Sequence, residues 1–248
     1  MSGSTGSDGA GGDMTGSALA VTVPADLAQI SPADERAADP AWDDAVAAII
    51  RAGWRMDQRG WVPATAGNLS VRLADGRIAV TRSGGHKGFL TPDGVIEVTA
   101  DGRPVVPGQR PSAETFLHCQ IYEHFPDAGA VLHGHSVAST VLSMIATDSA
   151  IHLEDYEVLK VFEGQTTHKT RLAVPIFAND QNIPRLSRSV ALYLDEMKAG
   201  YVIRGHGVYV WGPDMDTALA RLEGLEFLLS CEAERRRLVS TTASRDVT

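Results

Sequence analysis

The chain is poor in cysteine: Cys119 and Cys231 are the only two in 248 residues. Two thiols in a chain this long make no disulfide framework, which excludes the small stapled secreted folds. No apolar run approaches the ~20 residues needed to cross a bilayer, and no charged-then-apolar leader opens the sequence. A basic excess is also missing. Lys and Arg number 22 against 31 Asp and Glu, a net charge of −9, so the chain carries no electrostatic footprint for nucleic acid. The densest basic cluster, Arg235–Arg237, falls near the end of a helical pattern, where cations suit the helix dipole. These absences point to a cytoplasmic protein with neither a nucleic-acid nor a membrane partner.

Apolar residues make up 44% of the chain, enough for one good-sized core. Residues 1–39 read as a disordered Gly/Ser-rich tail, 40–240 as one folded domain and 241–248 as a short tail. Trp42, Val46, Ile49 and Ile50 follow helical spacing from Pro40, with Gly60 as a stop. Asp75-Gly76 marks a hairpin between strands through Val71 and Ile78–Thr81. Ser112 is expected to cap a helix carrying Phe116, Leu117 and Ile121, with Glu114 in its first turn and His118 and His124 on its surface. Ser136 should cap another helix, and Met215, Leu222 and Leu229 form a core stripe on a long one. Strands alternating with helices argue for one layered α/β domain with a mixed sheet.

The chemistry-bearing stretch is Val131–His135, which reads Val-Leu-His-Gly-His. Residues two apart on a strand share a face, so His133 and His135 can aim at one point. His206, between Gly205 and Gly207, can supply a third imidazole, the pattern of a catalytic zinc site. Taken singly, each histidine is equally compatible with an ordinary packed or turn residue. Two carboxylates can serve proton transfer: Glu114, and Glu157 in Tyr-Glu-Val-Leu-Lys, where apolar neighbours would raise a buried carboxyl although the residues alone favour a surface helix position. Asn68, Ser83, Gly84 and Ser112 supply polar groups and backbone N–H for an anion.

Gly67-Asn68-Leu69-Ser70, Thr81-Arg82-Ser83-Gly84, Pro111-Ser112-Ala113-Glu114, His133-Gly134-His135 and His206 occur in an order that resembles the class II aldolase/adducin superfamily. Ser83–Gly88, Tyr156–Lys160 and Gly205–Gly212 bring the chain nearest to its dehydratase branch. The resemblance implies a three-layer α/β/α sandwich with a mixed, mostly antiparallel sheet, and a homotetramer with sites at subunit contacts. It implies one zinc per subunit on His133, His135 and His206. Glu157 would be the acid/base, with Glu114 matching the aldolase carboxylate. Asn68, Ser83, Gly84 and Ser112 would hold a phosphate, and Lys87 or Lys160 would compensate for Ala113, where the aldolases often carry a second Ser. The implied substrate is 5-methylthioribulose 1-phosphate, dehydrated to a 2,3-diketone in methionine salvage, with Phe89, Phe162 and Tyr209 as apolar groups open to its methylthio tail. The alternatives are a sugar-phosphate aldolase or 4-epimerase and, from another class, a non-catalytic adducin-like module.

Overall fold

A computed structural model describes the backbone of residues 39–245. The tail expected over 1–39 lies outside the described residues, apart from Asp39. That residue caps α1 (Pro40–Gln58), its carboxylate accepting from the Ala41 and Trp42 amides. Pro40 in the first turn costs no intrahelical bond. Val46, Ile49, Ala52 and Met56 form the buried stripe, and a fully buried Ile such as Ile49 contributes roughly 1.5–3 kcal/mol.

Eight strands follow: β1 (Asn68–Arg72), β2 (Ile78–Thr81), β3 (Val95–Val98), β4 (Ala130–Gly134), β5 (Ala150–Glu154), β6 (Arg171–Phe177), β7 (Tyr201–Ile203) and β8 (Gly207–Gly212). They form one sheet in the order β3-β2-β1-β4-β8-β7-β6-β5. All pairings are antiparallel except β6 with β7. Four more helices are α2 (Thr115–His124), α3 (Val137–Ile145), α4 (Ile183–Ala191) and α5 (Met215–Arg245).

Strand alternation splits the core in two. Leu69, Leu132, Val208 and Val210 face one layer, where Ile49, Leu142, Leu222 and Leu225 of α1, α3 and α5 cover them. Val80, Val131, Tyr209 and Trp211 face the other, against Leu117 and Ile121 of α2 and Leu186 and Val190 of α4. The expected α/β/α sandwich with a mixed, mostly antiparallel sheet is the observed fold.

Three local expectations are corrected. Helix α5 continues through Arg245, past the boundary expected at 240. His118 is fully buried, not on the helix surface. Ser112 is not the helix cap: α2 begins at Thr115, and Glu114 takes the capping position without a side-chain cap bond. Strand β5 was not expected at all.

Candidate functional site

The central strands β1, β4 and β8 present one end to α2 and α3, and the polar residues gather there. His133 lies within β4 and is fully buried. His135 follows just past the strand end, its amide donating to the Trp61 carbonyl at 2.6 Å. His206 sits in the turn between β7 and β8, where its amide donates to the Ile203 carbonyl at 3.0 Å. That turn is held from α3 by the Ser143 hydroxyl, which accepts from the Gly205 amide at 2.9 Å. One nitrogen from each of His133, His135 and His206 lies within 4.8 Å of the others.

His133 and His135 are held as neutral imidazoles. The Nδ1–H of His133 donates to the Val208 carbonyl at 2.8 Å, which leaves the Nε2 lone pair facing the group. Burial pushes His133 well below its ordinary pKa, and burial together with the nearby His206 takes His135 down to about 4. The Nε2 of His135 is buried without a hydrogen-bond partner among the described residues. An orphaned imidazole nitrogen beside two others fits a metal ion better than a packed polar core, where such atoms find partners. Close backbone approach is built in at Gly207, where a Cβ would lie 2.1 Å from the Gly134 carbonyl oxygen.

Glu114 closes the group. Free of capping duty, its carboxylate takes a hydrogen bond from Asn68 Nδ2 at 2.7 Å, lies 3.0 Å from His206 Nε2, and lies 3.7 Å from His133 Nε2. Burial raises the carboxyl, but the His206 hydrogen bond and the three imidazoles outweigh it and hold the group at about 2. Asn68 also donates to Ser112 Oγ at 3.0 Å. The Lys87 ammonium is buried, donating to the Thr65 and Gly85 carbonyls at 2.8 and 2.7 Å. Desolvation lowers it to about 8 against the opposing pull of Glu114. Ser83 and Gly84 are tied to the segment carrying Ser112: the Ser83 amide donates to the Arg110 carbonyl at 2.9 Å, and Arg82 bridges Pro111.

Not all the expected residues join this group. Glu157 opens a short 3-10 turn over Glu157–Val161 and is 70% exposed. Its carboxylate accepts from Lys160 Nζ at 2.6 Å and lies 3.8 Å from His168. That ammonium lowers the carboxyl, so the raised pKa that burial among the apolar neighbours would bring is reversed: Leu159 turns inward and Glu157 out. Lys160 is drawn into the same pair. Phe162 and Tyr209 are buried, and Phe89 is exposed. The sequence reasoning missed His118, whose Nδ1 lies 2.7 Å from Ser70 Oγ and which burial lowers to about 3. Its spacing of four from both Glu114 and Tyr122 was the available signal, since that spacing defines one helix face.

Residues 47–233 match the family described as Class II Aldolase and Adducin N-terminal domain, and the chain belongs to that family. It is 72% identical over 200 residues to the methylthioribulose-1-phosphate dehydratase of Gluconacetobacter diazotrophicus, covering 81% of this chain and 97% of that protein. The dehydratase of the same name from Gluconobacter oxydans is 68% identical, over 79% of this chain and 95% of the relative. Among solved structures, L-fuculose-1-phosphate aldolase from Thermus thermophilus superposes with a TM-score of 0.66 at 25% identity, covering 80% of this chain and 98% of that one.

Proposed function

We propose that this chain is a metal-dependent hydro-lyase that dehydrates 5-methylthioribulose 1-phosphate to the 2,3-diketo-5-methylthiopentyl 1-phosphate of methionine salvage. The observation that carries the reading is the convergence of three imidazoles on a carboxylate, in a chain 72% identical to a dehydratase of that substrate. Three imidazole nitrogens within reach of one point suit zinc. A zinc ion on His133, His135 and His206 would supply Lewis acidity at the ketose carbonyl and so acidify the adjacent C–H.

Glu114 accepts the C3 proton, its carboxylate oriented by Asn68 and kept ionised by its hydrogen bond with His206. The C4 hydroxyl takes up a proton and leaves as water. The remaining C3–C4 enol ketonises to the diketone, with no net redox change. Asn68, Ser83, Gly84, Ser112 and Lys87 bind the phosphate.

Glu157 is the donor to the C4 hydroxyl, and it enters from a neighbouring copy of the chain, with Lys160 following it toward the anion. Its exposure, and the absence among the described residues of any polar contact with His133, His135 or His206, support that route. Burial against the neighbour's site then raises its pKa to that of an acid. The assembly is a homotetramer in the cytoplasm. Helix α3 begins two residues after His135 and leaves Val137, Val141 and Met144 exposed along one side, an apolar strip suited to a subunit contact. Among the described residues no helix is long and apolar enough to cross a membrane.

Purified protein with zinc should convert 5-methylthioribulose 1-phosphate to a product with diketone absorbance, and a chelator should stop it. A coupled assay for dihydroxyacetone phosphate should stay silent. Release of that triose would instead assign the aldolase reaction.

A further inference from the structure

Strand β8 holds His133 from two directions. Val208 accepts the Nδ1–H through its carbonyl at 2.8 Å. The next residue, Tyr209, lies flat against the imidazole, with ring centroids 4.1 Å apart and planes 16° apart. Tyr209 is stacked in turn on Tyr201, at 4.8 Å and 8°. All three rings are fully buried, so the stack cannot open without unpacking the core beneath α2. One N–H···O contact fixes where Nδ1 sits, but the ring can still pivot about it. A flat aromatic partner removes that pivot and contributes stacking energy of its own.

We propose that Tyr209 is a positioning residue that sets the plane of His133 and thereby aims its Nε2 at the point shared with His135 and His206. The inference rests on the reading of His133 as a metal ligand. It reassigns Tyr209 from the substrate-tail role open to it in the sequence: its ring is covered by His133 on one face and Tyr201 on the other. The working part is the ring, since the buried Tyr209 hydroxyl has no hydrogen-bond partner among the described residues.

The test measures zinc affinity by chelator competition and records the visible bands of the cobalt-substituted protein. Tyr209→Phe keeps the stack and should bind within about threefold of wild type, whereas Tyr209→Leu should bind about tenfold or more weakly, the scale on which orienting partners act on a metal ligand, with altered cobalt bands. A second measurement needs no variant: the His133 ring protons of the wild-type protein should be shifted upfield by Tyr209 and stay so when zinc is added. A folded Tyr209→Leu protein with wild-type affinity and cobalt spectrum would overturn the proposal, and so would loss of that upfield shift on zinc loading. A wild-type protein that binds no zinc would sink the site reading itself, a separate outcome.

Discussion

Glu114 and Glu157 are the same side chain in opposite settings. Glu114 is mostly buried at the end of the sheet, between an amide and imidazoles, and held at about pKa 2. Glu157 stands in water on a short turn with a lysine for company. The first carboxylate has Asn68 and His206 of its own chain against it. The second has only Lys160 and His168 within reach among the described residues. Burial and neighbours, not residue type, decide what a carboxylate can do.

The comparison can be broken from either side. The largest effect belongs to the histidines: His133→Ala should remove bound metal and take dehydration to background, read by metal analysis beside the substrate assay. A variant retaining both metal and rate would dissolve the special status of that end of the sheet. Glu114→Gln should cost about 10²–10⁴-fold in kcat with the metal content unchanged, because the lost function is proton transfer. Glu157→Gln should cost roughly a hundredfold in the assembled enzyme. Its thermal stability should stay near wild type, since an exposed ion pair contributes little to folding. Equal metal content and a loss smaller than that of Glu114→Gln would place the main burden on Glu114.

The smallest effect lies in the folding equilibrium. Lys87 has a folded pKa of about 8 against an ordinary 10.5, so burial makes its charged form costly. Between those values the unfolded chain binds more protons, and stability should rise with pH across that window. Denaturant titrations of metal-free protein at pH 7.5 and 10 would show the trend, and Lys87→Met should flatten it. An unchanged slope in that variant would remove Lys87 from the electrostatic account.

Much of this was legible before any coordinates. The spacing of His133 and His135, the Ser136 cap, the Asp75-Gly76 hairpin and the apolar stripe of α5 are local signals, and local physics reproduces them. The resemblance supplied His206 and Glu114 as members of the same group, which no periodicity could. The failures share a cause. His118 looked like a surface residue because a polar side chain hides that its helix face is pressed onto β1, where Ser70 receives it. Ser112 looked like a cap because cap propensity ignores a competing partner, here Asn68. Glu157 is no such failure: its own segment favours a surface position, and the 3-10 turn keeps it there.

Mixed oligomers test the account most directly. His133→Ala and Glu157→Gln proteins, each inactive or nearly so alone, would be coexpressed or unfolded together and reassembled. If His133 and Glu157 meet across a subunit contact, random mixing leaves about a quarter of the sites with both residues intact, and that share of activity should return. Mixed oligomers as inactive as their parents would contradict the claim and return Glu157 to the surface of its own chain.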